Sequence, residues 1–417
     1  MLGASLRRGP ELSDAMLAVH QLSPSITAVN FPPLTPASDI TPGGNFIRNS
    51  TVMQILIVDD SALFRTMLQN VIRDLPDCHV CGTASTGEQA LEAIAKLSPD
   101  IVTLDVEMPG MSGIDVLREL RRRRARCRIL MVSRLTEAGA QITTDALLEG
   151  AFDFILKPSG AALQQNRQLL SDALAARLAA IRQQLTDRTA LLATSSRTTP
   201  PASRAARPAI SAQPPAIIVI GCSTGGPDAL ATLIPDLPHD LSVPVIIVQH
   251  MPSGFTHSLA KRLNEASEVH VSEACDGDLL APGKVFLARG GLQLQLVADA
   301  DSKVLIRLTE DPPENFCRPA VDYTLRSAAA IYGPRTVAVI LTGMGNDGAA
   351  GCRMVNESGG HVVVQHPEGC TVYGMPRAAL RTGSVHEELK LPEIAPRLAA
   401  LTTNHDASRQ RHQTKSR

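Results

Sequence analysis

Two groups of residues in this 417-residue chain have the types and the spacing to do chemistry. In the first, Asp59 and Asp60 close the apolar run "QILIVDD", Asp105 closes the run that opens "DIVTLDVEMPG", and Glu107 lies just beyond it. Ser133 ends "CRILMVS", and Lys157 stands before Pro158 at the end of "AFDFILKP". In a parallel sheet all strand C-termini share one edge, so the three aspartates are expected to converge there. Crowded carboxylates suit a hard cation, and Mg²⁺ takes one or two carboxylates, a backbone carbonyl and several waters. A hydroxyl and an ammonium arriving at the same edge can hold the oxygens of a phosphoryl group transferred to Asp105.

In the second group, Ser223 lies in "IVIGCSTGGP", His250 in "VQHMPSGF", and Asp347 in "VILTGMGNDG", with Met344 just before it. A serine is inert without a base, and the base needs a group to orient it. Gly343, Gly345 and Gly348 let the backbone approach a ligand or leave N–H groups pointing inward, as an oxyanion hole requires. Three readings of "GCSTGG" compete: a phosphate cradle, a nucleophile on a strand-to-helix turn, or a turn that needs glycine for backbone reasons alone. No Gly-Lys-[Ser/Thr] follows it, and Ser223 stands where a dinucleotide fingerprint needs its second glycine, which weakens the first reading. Cys222 is a rival nucleophile, but it precedes Ser223 on an extended segment and is expected to face the other way. His257, His270 and His361 have no partner motif and read as structural.

The elements that must position these residues alternate strand and helix. From 53 to about 158, short apolar runs ("QILIVDD", "HVCGTAS", "DIVTLD", "CRILMVS", "AFDFILKP") are separated by helical patterns, which indicates βα units on a parallel sheet. Residues 161–190 read as a helix, and 192–215 are Pro, Ser, Ala and Arg with no apolar face, so 161–215 is expected to be helix and linker. A second α/β alternation follows from 216 to about 400, with "AIIVIG", "PVIIVQH", "KVFLA", "LQLQLV", "KVLIRL", "TVAVILTG" and "HVVVQ" as strands. Residues 1–52 and 401–417 read as a disordered extension and tail, with Met53 a candidate start. The run Arg121–Arg124 falls at a helix C-terminus, where cations suit the dipole.

The motifs "VDDS", "LDVEMPGMSG", "MVS" and "LKP", in that order and at that spacing, resemble the receiver domain of two-component response regulators. The resemblance implies a flavodoxin-like fold with a five-stranded parallel sheet and Asp105 as phosphoacceptor. It also implies Mg²⁺ held by Asp59, Asp60, Asp105 and the carbonyl of Glu107, Ser133 and Lys157 reading the phosphoryl group, and a histidine kinase as donor. Beyond residue 216, "STGGP", "EACDGD", "RPAVDYTLRSAA", "LTGMGNDGA" and "YGMPRAA" resemble the chemotaxis protein-glutamate methylesterase family. That implies a doubly wound, mostly parallel α/β domain carrying a Ser223, His250 and Asp347 triad, with the Met344 N–H and the neighbourhood of Thr224 in the oxyanion hole. The implied substrate is a γ-glutamyl methyl ester on cytoplasmic helices of chemoreceptors, and some members also deamidate glutamines there. No cofactor is expected for the ester chemistry. The chain departs from the family at Cys222 (usually Ala), Arg289 (Pro) and Ala320 (Ser), which bears on the shape of the substrate groove.

Composition narrows the rivals. Net charge is −1 and pI about 6.8, giving no global pull toward nucleic acid or anionic membrane. A DNA-binding output needs a basic element, yet residues 216–396 hold 13 Lys plus Arg against 20 Asp plus Glu. No apolar run approaches the roughly 18–20 residues that span a bilayer. A cytoplasmic monomer is expected. The eight Cys are scattered, and "CHVC" has no second pair at zinc spacing. A receiver-controlled adaptor with dormant chemistry is the remaining alternative.

Overall fold

The computed structural model describes residues 52–159, 162–194 and 213–403. The extension before residue 52, the linker over 195–212 and the tail over 404–417 lie outside the described residues.

The first sheet is built from β1 (Met53–Val58), β2 (Cys78–Ala84), β3 (Ile101–Asp105), β4 (Arg128–Ser133) and β5 (Asp153–Leu156), all parallel, in the order β2-β1-β3-β4-β5. The helices between them are α1 (Ala62–Asp74), α2 (Gly87–Leu97), α3 (Gly113–Arg122) and α4 (Glu137–Leu148). Their starts are written locally. Ser61, Thr86 and Thr136 accept hydrogen bonds from Phe64, Gln89 and Gly139 N–H groups, and Ser112 with Asp115 closes a capping box. Each cap satisfies donors that helix geometry leaves free, worth about 1 kcal/mol.

Helix α5 (Leu163–Thr194) is more than a connector. Leu170, Leu174, Leu178 and Ile181 recur along one face and are buried against Phe64, Leu68 and Ile57, so this stretch completes the core of the first domain.

The second sheet has seven strands, all parallel: β6 (Ile217–Cys222), β7 (Val245–Gln249), β8 (His270–Glu273), β9 (Lys284–Leu287), β12 (Thr336–Ile340), β13 (His361–Gln365) and β14 (Glu387–Leu389), in the order β14-β13-β12-β6-β7-β9-β8. The runs "LQLQLV" and "KVLIRL" are indeed strands, β10 (Gln293–Ala298) and β11 (Val304–Thr309), but they pair with each other as an antiparallel ribbon outside that sheet. Their alternating pattern suits a ribbon with one face covered, whereas strands buried on both faces read as unbroken apolar runs. Helices α6 (Gly226–Leu233), α7 (Phe255–Ala266), α8 (Val321–Tyr332), α9 (Ala349–Glu357), α10 (Met375–Arg381) and α11 (Leu391–Thr403) cover the sheet.

The two domains touch. Phe154 on β5 stacks on Phe255 of α7 with centroids 4.8 Å apart, and Arg262 of α7 makes two 2.7 Å hydrogen bonds to Asp145 of α4. A cavity of about 680 Å³ remains between them, lined by Leu117, Arg121, Arg128, Gly225 and Asp228 among others.

Gly343, in the loop after β12, has room for no side chain. A Cβ there would run into the Met375 sulfur and come within 2.9 Å of the Ser223 Cβ. Gly343→Ala is therefore expected to lower stability by about 1–3 kcal/mol, read as a lower urea midpoint at unchanged slope. An unchanged midpoint would show that the loop gives way freely.

Candidate active site

Strands β12, β6 and β7 are neighbours, and their C-terminal ends carry the second group of residues. Cys222 pairs with Gln249 in the β6–β7 ladder, so Ser223 and His250 each emerge one residue later on the same edge. Gly225, at φ +77°, supplies the left-handed residue that turns the chain from Ser223 into α6. The Gln249 amide donates to the carbonyls of Ser223 (3.0 Å) and His250 (3.3 Å) and ties the two strand ends together.

Asp347 reaches the same place from the loop after β12 and is 2% exposed. Its Oδ1 accepts from Asn315 Nδ2 and the N–H groups of Asp322 and Gly348, each at 3.0 Å. Its Oδ2 accepts from the Val321 N–H at 2.6 Å and lies 2.7 Å from His250 Nε2. Val321 and Asp322 open α8, so a buried carboxylate sits where the free N–H groups and positive end of a helix favour charge. Burial pushes Asp347 up, but the His250 hydrogen bond and charge and the two α8 N–H groups win, and its pKa falls below the ordinary value. Burial pulls His250 down, yet the bonds to Asp347 and Cys317 outweigh it and lift the imidazole to about 9. Asp322 beside them is pushed up to about 6, by burial first; the Gly351 N–H opposes this and the Asp347 charge adds to it.

The other ring nitrogen, Nδ1, lies 3.4 Å from Cys317 Sγ. Both nitrogens of His250 are thus engaged, and no hydrogen bond joins the ring to the Ser223 hydroxyl. Cys222 is fully buried, and burial alone drives its thiol far above the ordinary range, which keeps it un-ionised. Thr224 is buried and its hydroxyl donates at 2.7 Å to Asp153 on β5 of the first domain. Met344 packs against the apolar cluster that holds α5. Of the departures, Arg289 is exposed, and Ala320 is buried with its N–H donating to Gln293 Oε1 at 2.9 Å. Sequence reasoning missed Asn315 and Cys317. The available signal was their place directly before "RPAVDYTLRSAA".

In the first domain Lys157 Nζ lies 2.7 Å from both Asp59 Oδ2 and Asp105 Oδ2. Asp59 and Asp105 are buried, and the Glu107 N–H reaches Asp105 Oδ1 at 3.4 Å. Burial pushes Asp105 up to about 6; the Lys157 hydrogen bond opposes this and the Asp59 charge adds to it. Asp59, Asp60 and Asp105 each offer an oxygen within 4.8 Å of the others, and Asp59 Oδ2, although near the ammonium, makes no hydrogen bond. One ammonium leaves this cluster net negative, so the donor set fits a hard divalent cation. Ser133 is buried at the end of β4, its hydroxyl on the Arg134 carbonyl at 3.2 Å.

A response regulator receiver domain pattern matches residues 55–167, and a CheB methylesterase pattern matches residues 218–398. The protein-glutamate methylesterase/protein-glutamine glutaminase of Thermotoga maritima is 43% identical over 84% of this chain and 98% of its own length. The chain belongs to that methylesterase/glutaminase family. The Bacillus subtilis member is 39% identical over 82% of this chain and 97% of its own. The crystal structure of the Thermotoga maritima CheB methylesterase catalytic domain is 45% identical, covering 45% of this chain and 98% of that one at a TM-score of 0.44. The protein is therefore a response regulator whose receiver is joined to a methylesterase domain. Among the described residues no helix is long and apolar enough to cross a membrane.

Proposed function

We propose that this chain is a cytoplasmic, monomeric, phosphorylation-regulated serine esterase that hydrolyses γ-glutamyl methyl esters on chemoreceptor helices and deamidates glutamines there. The observation that carries this reading is the 2.7 Å His250–Asp347 pair beside Ser223 at one sheet edge. Asp347 holds Nε2–H, which leaves Nδ1 as the nitrogen that accepts the Ser223 proton when the hydroxyl turns to it. The serine oxygen attacks the ester carbonyl, and backbone N–H groups near Met344 and Thr224 stabilise the oxyanion. His250 returns the proton to the leaving methoxide, and methanol departs. Water then attacks the acyl-enzyme, with His250 again as base, and glutamate and free Ser223 result. Removing one oxyanion donor typically costs roughly 10²- to 10³-fold in rate. No cofactor takes part in these steps.

A histidine kinase is the proposed phosphodonor to Asp105. Asp59, Asp60, Asp105 and the Glu107 carbonyl would hold Mg²⁺, which neutralises charge on an incoming phosphoryl group. Ser133 and Lys157 would bind its oxygens; Ser133 ends β4 and Lys157 follows β5, the strand whose Asp153 and Phe154 meet the esterase. The Thr224–Asp153 bond grips the residue next to Ser223, and a cavity lies beside it. Drawing Ser133 and Lys157 toward a phosphoryl group is proposed to release that grip.

A fragment starting near residue 210 is therefore expected to release methanol from methylated receptor membranes faster than the unphosphorylated full-length chain. Mg²⁺ with a small phosphodonor is expected to raise the full-length rate toward that of the fragment, and Asp105→Asn to abolish the response. Equal rates for fragment and unphosphorylated chain would rule out inhibition by the receiver. A chain that releases no methanol in any state would leave the dormant adaptor.

A further inference from the structure

Cys317 lies where a second nucleophile could use the same base. Its Sγ is 3.4 Å from His250 Nδ1, and His250 Nε2 is 2.7 Å from Asp347 Oδ2. Thiol, imidazole and carboxylate thus stand in line, in the order that activates a cysteine: the ring takes the thiol proton and the carboxylate steadies the imidazolium.

The loop that presents Cys317 is held in an uncommon shape. Asn315 and Phe316 have φ of +51° and +62°, a region bulky L residues rarely adopt. Glu314 and Cys317 exchange backbone hydrogen bonds of 3.1 and 2.8 Å across them. Asn315 Nδ2 donates to Asp322 Oδ2 at 2.9 Å and to Asp347 Oδ1 at 3.0 Å, pinning the loop to the carboxylate that orients the base. The thiol is only part-buried, so small reagents can reach it. Cys222 and Cys352 are sealed in the core, and burial pushes the Cys370 thiol up to about 12. Cys275 is exposed and lies on a different loop.

We propose that Cys317 is a redox modification site, a thiol activated by His250 that hydroperoxides convert to a sulfenic acid, stopping the esterase. Cys317 gives its proton to His250 Nδ1, and the thiolate sulfur attacks the terminal peroxide oxygen. An S–O bond forms as the O–O bond breaks. Sulfur loses two electrons, the peroxide gains them, and the departing oxygen leaves as water or alcohol with the proton His250 was holding. The products are Cys317–SOH, water or alcohol, and neutral His250. The added oxygen then lies against Nδ1, the nitrogen Ser223 must reach. This last consequence rests on the esterase mechanism proposed above, whereas the modification itself does not.

The test treats the full-length protein with hydrogen peroxide in the presence of a cyclic 1,3-diketone that traps sulfenic acids, and maps the label by mass spectrometry. Cys317 is expected to be labelled ahead of the exposed Cys275. His250→Gln is expected to slow labelling of Cys317 by about tenfold or more, because an unassisted thiol is only a few per cent thiolate near neutrality. Asp347→Asn, which weakens the same base, serves if His250→Gln does not fold. Methanol release in the same samples, each rate taken relative to the same protein untreated, is expected to fall as the label appears and to return with dithiothreitol. Cys317→Ser is expected to keep its own untreated rate. Labelling of Cys275 as fast as Cys317, or labelling of Cys317 that neither base variant slows, overturns the proposal. A label on Cys317 in a protein that releases no methanol supports the site and counts against the esterase reading alone.

Discussion

Ser223→Ala is expected to lower methanol release by on the order of 10⁴- to 10⁶-fold while leaving the fold intact. The size follows from the chemistry, since without the hydroxyl no acyl-enzyme forms and only binding and oxyanion stabilisation remain. Stability is expected to shift by no more than about 0.5 kcal/mol, because the hydroxyl makes no hydrogen bond to His250 and the backbone of the turn is set by Gly225. His250→Ala is expected to cost nearly as much, and the double variant scarcely more than either single one. Groups that serve one proton transfer fail together. Losses that multiply in the double variant would mean that Ser223 and His250 act on separate steps. Cys222→Ala is the control: its thiol is buried and un-ionised, so activity is expected to persist. An inactive Cys222→Ala with an active Ser223→Ala would move the nucleophile one residue back.

Asp347→Asn carries the second large effect, and it has a pH signature. In the native site burial favours neutral His250, but Asp347 and Cys317 overcome it and hold the ring protonated up to about pH 9. Only the neutral ring can accept a proton from Ser223. The rate of the native enzyme is therefore expected to rise with pH as His250 loses its proton, with the midpoint of the rise near pH 9. An Asn at 347 supplies no charge, so burial prevails and the rising limb moves down in pH. An amide that donates its N–H to Nε2 also shifts the ring proton to Nδ1, the nitrogen that has to be free. A loss of roughly 10⁴-fold is expected from that wrong tautomer. The decisive measurement is kcat/KM against pH for both proteins. A loss below tenfold with the limb unmoved would show that Asp347 neither charges nor orients the base.

Much of the architecture was legible along the chain because its causes are local. Runs such as "IIVI" and "VIIV" are apolar at every position, the pattern of strands covered on both faces, and the Ser and Thr residues that start α1 to α4 act within a few residues of themselves. Parallel strands share a C-terminal edge, so reading which residues end the strands places Asp59, Asp105 and Lys157 together, and Ser223 beside His250. The ribbon β10–β11 was legible as two strands but not as separate from the main sheet, because alternation specifies a half-covered face and says nothing of the partner.

What the tertiary structure alone decided is where distant loops meet. Asp347 joins His250 across 97 residues, and Cys317 meets the opposite ring nitrogen across 67. Neither the caging of Asp347 by the start of α8 nor the left-handed loop at Asn315 and Phe316 has a periodic signature, because each depends on how packed elements orient a short irregular segment. The same holds for Thr224, whose bond to Asp153 spans two domains, and for α5, whose leucines had an apolar stripe but no stated surface to cover. Local propensity and strand order determined which residues share an edge. Long-range packing determined which atoms on that edge touch, since a side chain's partner depends on the rotamer and backbone that its neighbours permit.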